Sequence, residues 1–337
     1  MDRLDLKDKR ILTILNTNAR TPLSKVASQV GLSKQVVDYR IKNLAKRGII
    51  TGFTIYCDLT KLGYSTYGVY LRLRNITEKK EKEIIDLLVK HPFTRQVTVC
   101  EGKWDLTFTI VARSTKEFSS KLEEIIADIG DDIERYETTN FFTVHEFYLN
   151  LLGKEELNST KPPRDEFTTH TGLEKIDEID VKILQELKKN SRISPVVIAG
   201  KLKVSADTVR YRMKSLVDRK IINEFHAQIN FKPLGYGTFL LILDLKRCSD
   251  EHEKELLMKI KQIPYLTSVV RCMGGWDFEL SIKATNNEEF RKTLMKTREK
   301  LGELTTTYHT VIVFSNPKDD SFPDGVAQEL IKEAKEK

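Results

Sequence analysis

Two stretches of the chain carry side chains whose types and spacing suit hydrogen bonding to base edges and phosphates. Residues 33–47, SKQVVDYRIKNLAKR, and residues 205–219, SADTVRYRMKSLVDR, each open with a serine. Such a serine can cap a helix, its side-chain oxygen accepting an otherwise unpaired backbone N–H. The apolar positions fall on one helical stripe in each: Val37, Ile41 and Leu44, with Val36 beside them, and Val209, Met213 and Leu216. The remaining positions hold Lys34, Gln35, Asp38, Tyr39, Arg40 and Lys42 in the first copy, and Asp207, Arg210, Tyr211, Arg212 and Lys214 in the second. Amides, carboxylates and phenols read base edges in a major groove, and cations bind phosphates. These residues are the candidate DNA-binding set. An ordinary solvated surface helix shows the same amphipathic pattern, so the assignment depends on what surrounds the two stretches.

Upstream of the first stretch lie two shorter amphipathic segments, residues 7–16 (Ile11, Leu12, Leu15) and residues 23–30 (Leu23, Val26, Ala27, Val30). Gly31-Leu32 then forms a short link, and glycine tolerates the positive φ of a tight helix-to-helix turn. Three short helices with a tight second turn predict a helix-turn-helix whose last helix enters the groove. Gly48 is placed to end that helix, and the β-rich run 49–59 predicts a small wing.

The charge distribution agrees with phosphate binding. Residues 1–60 hold 11 Lys/Arg against 5 Asp/Glu, and residues 173–232 hold 13 against 8, so these segments carry +6 and +5. The net charge is +7, which leaves −4 for the rest of the chain. No apolar run approaches the length of a bilayer, and the first ten residues, MDRLDLKDKR, hold no secretory apolar segment, so a cytoplasmic protein is expected. The four cysteines, Cys57, Cys100, Cys248 and Cys272, form no C-x-x-C pair and have no histidines at metal-ligand spacing. No disulfide, metal, cofactor or catalytic group is expected.

The second half repeats the first. Ile11 and Ile183 stand 172 residues apart, and at that offset Asn18 meets Asn190, Arg20 meets Arg192, Ser33 meets Ser205 and Phe53 meets Phe225. The match continues through Leu62-Gly63-Tyr64 with Leu234-Gly235-Tyr236, Cys100 with Cys272, and Trp104-Asp105 with Trp276-Asp277. Each repeat then reads strand, helix, strand, strand, helix, strand. The expected class is therefore α+β, a tandem repeat of a winged helix-turn-helix followed by a ferredoxin-like βαββαβ domain. The predicted domains are residues 1–60, 61–152, 173–232 and 233–315, with a linker at 153–172 and a tail at 316–337. The run Phe239-Leu240-Leu241-Ile242-Leu243 is apolar on both faces of its strand, which predicts that the two sheets cover each other.

On these residues the chain resembles the Lrp/AsnC (feast/famine) family of transcription regulators. The likeness rests on Asp8 to Leu15 with Asn18-Ala19-Arg20, on VGLSKQVVDYRIKNLAKRGII at 30–50, on Gly102-Lys103-Trp104-Asp105, and on their counterparts in the second repeat. The resemblance implies double-stranded DNA as partner and an assembly of paired units, here a pseudo-dimer within one chain with further homo-oligomers open to it. It also implies an amino-acid or similar effector bordered by the G-x-W-D turns, Gly102, Trp104 and Asp105 with Gly274, Trp276 and Asp277. A purely structural role for those turns, tryptophans as anchors and aspartates as turn formers, fits the same residues.

The departures from the family also carry expectations. Family chains usually hold one unit and this one holds two. Gly31 is replaced by Lys203 and Gly48 by Lys220, which predicts strain at those turns, and the reading faces differ, which predicts an asymmetric operator. Siroheme decarboxylases share the general architecture. They would need histidines and arginines around a tetrapyrrole, and strand two of either repeat offers Arg95 or Arg271 but no histidine. A small-molecule sensor with degenerate helix-turn-helix units is the third reading.

Overall fold

The computed structural model describes residues 4–74, 76–147, 164–166, 173–246, 250–260, 262–263, 265–302 and 304–336. In chain order the first half comprises α1 (Leu6–Thr17), α2 (Leu23–Val30), α3 (Lys34–Lys46), β1 (Ile50–Cys57), β2 (Ser65–Leu73), α4 (Glu78–Lys90), β3 (Thr94–Glu101), β4 (Leu106–Ala112), α5 (Thr115–Ile129) and β5 (Ile133–Glu146). After the short strand β6 (Arg164–Glu166) come α6 (Glu178–Lys189), α7 (Pro195–Leu202), α8 (Ala206–Asp218) and β7 (Ile222–Ile229). The chain closes with β8 (Gly237–Leu245), α9 (Asp250–Ile260), β9 (Leu266–Gly274), β10 (Phe278–Ala284), α10 (Asn287–Leu301), β11 (Thr305–Asp319) and α11 (Asp324–Lys335).

Within each half the strands take the ferredoxin-like order, β5-β2-β4-β3 and β11-β8-β10-β9. The halves meet at both edges, since β3 pairs with β11 and β5 with β9. The eight strands therefore close into one ring rather than two separate facing sheets, which leaves neither half an unpaired edge to protect. The apolar run in β8 is divided accordingly. Leu241 and Leu243 face outward to α9 and α10, while Leu240 and Ile242 point into the ring beside Trp104 and Trp276. In the first half Val69, Leu71, Phe108 and Ile110 pack outward against Ile84 and Leu88 of α4 and Phe118 and Leu122 of α5.

The wing expected for each helix-turn-helix is instead shared. β1 and β7 pair antiparallel with each other, Ile55 opposite Phe225 and Thr54 opposite His226. Ile55 and Cys57 sit in the core of the second helical unit, and Ala227 in that of the first. Two eight-residue strands, each marginal alone, are completed by one another.

Most of the expected linker lies outside the described residues, as does Cys248; residues 164–166 form β6, which pairs with β5. The expected tail is part of the fold. β11 runs on to Asp319, and Phe322, Val326, Ala327 and Leu330 enter the core of the second helical unit beside Ile183 and Leu187. Cys57, Cys100 and Cys272 are free and buried.

Candidate nucleic-acid interface

Local chemistry fixes where the two third helices begin. The side chains of Ser33 and Ser205 accept from the amides of Val36 and Thr208, and the preceding turns take the left-handed conformation at Gly31 (φ 63°) and at Lys203 (φ 56°). Lys220 (φ 60°) stands likewise where Gly48 (φ 67°) stands in the first unit. The strain read from the sequence is therefore located at two lysines.

On α3, Lys34, Gln35, Tyr39 and Lys42 are exposed, and Lys42 bonds Asp38 at 2.6 Å. On α8, Asp207, Arg210, Tyr211 and Lys214 are exposed, with Arg210 paired to Asp207. Tyr39 and Tyr211, equivalent in the repeat, are 70% and 73% exposed, unusual for a tyrosine in a packed domain. Both helices thus turn cationic, phenol-bearing faces outward, that of α3 with the amide of Gln35 as well.

Arg40 and Arg212 do not belong to that face. Arg40 reaches back to Asp5 and Asp8, each at 2.7 Å, and Arg212 to Asp177 and Asp180. Through Nη1, each arginine pins its third helix to the start of its first. Burial alone would raise the Asp5 and Asp177 carboxyls; hydrogen bonds from backbone amides and these arginines hold both below the ordinary value. Position on a helical wheel does not reveal that α1 and α6 place carboxylates within reach of these two arginines.

The two units are locked to one another by a reciprocal pattern that sequence reasoning recorded only as matched residues. The Ala19 amide donates to the carbonyl of Phe225 at 2.7 Å, and the Ser191 amide to that of Phe53 at 2.8 Å. Arg20 donates to the carbonyls of Ser191 and Ile193 and lies over the ring of Phe225. Arg192 donates to the carbonyl of Ala19 and lies over Phe53. The Asn-x-Arg repeat was the available signal, and its target in the other half was not.

The G-x-W-D turns form the seam of the ring. A side chain at Gly102 would meet the Thr310 carbonyl at 2.9 Å, and one at Gly274 the Thr138 carbonyl at 3.1 Å, each on the opposite half. Trp104 and Trp276 are buried with ring centroids 4.9 Å apart, and Tyr70 meets Trp276 edge-on at 4.3 Å. Asp105 accepts from Arg72 and the Leu73 amide, Asp277 from Arg271 and the Leu245 amide, all between 2.6 and 2.9 Å. Both aspartates are thus bonded within the fold. A recess of about 260 Å³ borders Gly274, Trp276, Asp277, Arg271 and Asp244.

A much larger cavity, about 1020 Å³, fills the ring between this aromatic cluster and the β1–β7 ribbon. Arg95, Glu279 and Lys283 reach it from the strands, Tyr56 and His226 from the ribbon. A search for histidines on strand two missed His226, because the ribbon's position over the ring opening is not encoded locally.

Comparison with known proteins agrees with these features. The AsnC-type helix-turn-helix domain family matches residues 4–45, and a winged helix-turn-helix DNA-binding family matches residues 176–223. The uncharacterized HTH-type transcriptional regulator PF0250 of Pyrococcus furiosus is 35% identical over 144 residues, 42% of this chain and 93% of that relative. The HTH-type transcriptional regulator LrpA of Pyrococcus horikoshii is 32% identical over 128 residues, 37% and 88% of the two chains. Among solved structures, the siroheme decarboxylase NirDL covers 98% of this chain and 99% of its own, with a TM-score of 0.63 at 14% identity, a likeness of fold.

Proposed function

Because the chain belongs to the Lrp/AsnC family, as a tandem form with two helix-turn-helix units, we propose that it regulates transcription by reading both halves of one operator with a single polypeptide. Its DNA-binding regulator class follows from the two matched segments and from relatives named as regulators. The observation that carries the finer reading is the outward display of Tyr39 and Tyr211 at equivalent positions on two helices, tied together by the β1–β7 ribbon. The two faces differ in sequence, so the operator is read as asymmetric, and its setting is the cytoplasm. Selection of bound DNA from a random pool tests this. Two dissimilar half-sites about one helical turn (~34 Å) apart are expected, and identical half-sites or no enrichment would contradict it. Replacing Lys34 or Lys42 with alanine should weaken binding to all sequences and lower the salt slope by about 1. Replacing Gln35 or Arg210 should relax base preference by about 1–3 kcal/mol.

An amino-acid effector at the G-x-W-D turns is supported by the recess beside Gly274, which is of amino-acid size. Calorimetric titration with amino acids, with Gly274→Val as the blocked control, tests it.

A second reading, a siroheme-decarboxylase-like enzyme, is favoured by His226 and Arg95 on the wall of the large cavity. Visible absorbance after addition of siroheme separates the two readings, a perturbed spectrum at one equivalent favouring the enzyme.

A further inference from the structure

Two of the three non-glycine residues that take a positive φ among the described residues, Lys203 and Lys220, bracket the reading helix α8. Left-handed backbone at a lysine is strained relative to glycine, and such strain persists where the side chain has a task. Where both repeats turn through positive φ away from the reading helices, at Gly63 with Gly235 and at Gly102 with Gly274, glycine is kept in both. Packing does not account for the exchange. Both lysines are exposed, and in the first unit a side chain at Gly48 would meet nothing within 4 Å, so that site has room it does not use.

The two lysines restore charge that the helix itself has lost. At the constant offset, Lys34 corresponds to Ala206 and Lys46 to Asp218, so α8 lacks the cations that α3 carries near its two ends. Gly31 and Gly48, just outside those positions, correspond to Lys203 and Lys220. Residues 31–48 hold five Lys/Arg against one Asp and residues 203–220 hold six against two, so both stretches carry +4. Without the turn lysines the second would carry +2. Among the described residues neither turn lysine has a carboxylate partner. Arg210 is paired with Asp207, Arg212 with Asp177 and Asp180, and Arg219 with Glu174.

We infer that Lys203 and Lys220 bind phosphates of the second half-site, in place of the cations that α3 carries as Lys34 and Lys46. The inference rests on the regulator reading and says how its second half-site is held. At 1.5 Å per residue α8 is about 20 Å long, against a major groove about 12 Å wide, so cations at its ends stand toward the phosphate walls rather than over the bases. Phosphate contacts fix register and orientation without reading sequence. Their move to the turns leaves Ala206 and Asp207 in the first turn of α8 clear of that task.

The full chain is titrated with a fluorescein-labelled duplex of mixed sequence, about 30 base pairs long, across about 50–200 mM salt, and binding is followed by anisotropy. Lys203→Gly and Lys220→Gly should each flatten the salt slope by about 1 and lower affinity roughly fivefold at ~100 mM salt, and the double variant should flatten the slope by about 2. Their melting temperatures should not fall, since each change removes strained backbone. Lys203→Arg should match the parent, and Ala206→Lys added to Lys203→Gly should restore the slope. Lys292→Met, on an exposed lysine of α10, should change nothing. Glycine variants that keep the parent's slope overturn the inference. So does a flattened slope that comes with a lower melting temperature or that Ala206→Lys does not restore. A parent chain that fails to bind the duplex overturns the regulator reading itself, a result seen before any variant is made.

Discussion

Arg20 of the first helix-turn-helix donates through Nη1 to the carbonyl of Ser191 in the second at 2.6 Å, and Arg192 returns the contact to Ala19. The two guanidiniums lie close enough to repel one another, and burial presses in the same direction. Carbonyl acceptors and the rings of Phe225 and Phe53 offset both effects. Replacing either arginine with alanine leaves those carbonyls under-satisfied and should cost about 1–3 kcal/mol. The functional consequence concerns geometry: the parent should bind DNA at one half-site spacing, whereas the double variant should accept several. Gel-shift assays on a spacing series measure this, and an unchanged spacing profile would count against it.

Lys203 and Lys220 hold left-handed backbone where the first unit has glycine. Lys203→Gly and Lys220→Gly should each stabilise the chain by up to about 1 kcal/mol, the lost strain partly offset by glycine's larger unfolded-state entropy. The reverse substitutions, Gly31→Lys and Gly48→Lys, should destabilise by a similar amount. Thermal melts of the four variants show whether the two signs are opposite.

His91 ends α4 and is held far below its ordinary value, at about 4, first by burial and then by Lys318 and Lys121. An unfolded chain takes up this proton below about 6.5, while the folded chain resists until about 4. Stability from this group is therefore complete above 6.5 and declines as pH falls through that window. The group is only partly buried, so the decline should be about 1–2 kcal/mol. His91→Asn should flatten the melting temperature between pH 6.5 and 4, and a profile identical to the parent's would remove His91 as the cause.

Of the two helical units, α11 packs into the second among the described residues, and it also reaches Arg113 and Lys121 in the first half. Lys188 of α6 bonds Asp320, Asp324 and the Phe322 carbonyl, and Tyr64 donates to Glu329. Leu330→Ala should cost about 2–5 kcal/mol. The opening should be local, with hydrogen exchange rising in α6 and α8 and little altered in α1 and α3. Uniform acceleration across both units would contradict this.

The sequence made legible what is local or repeated. Serine caps, the 172-residue offset, the strand order of each half and the burial of both faces of β8 all follow from patterns along the chain. What remained hidden depends on which distant element arrives next to a residue. Arg40 and Lys42 sit two positions apart on one helix, yet Lys42 pairs with Asp38 of its own helix and Arg40 with Asp5 and Asp8 at the start of α1, because α1 crosses beneath it. β1 reads as a wing strand on its own, and nothing within it names β7 as partner. Residues 316–337 read as a tail, and the surface that Val326, Ala327 and Leu330 cover exists only once α6 is placed. That Lys283 reaches a cavity wall follows from ring closure, which no pattern along β10 states.

Ring closure within one polypeptide alters how such a regulator behaves when scarce. Two separate chains drift apart on dilution, and either can pair with a cousin of similar sequence. Here the halves share every seam and cannot leave each other. Occupancy of the operator should therefore rise in direct proportion to protein at nanomolar levels, without a dimerisation threshold and without mixed partners formed with other regulators in the same cell.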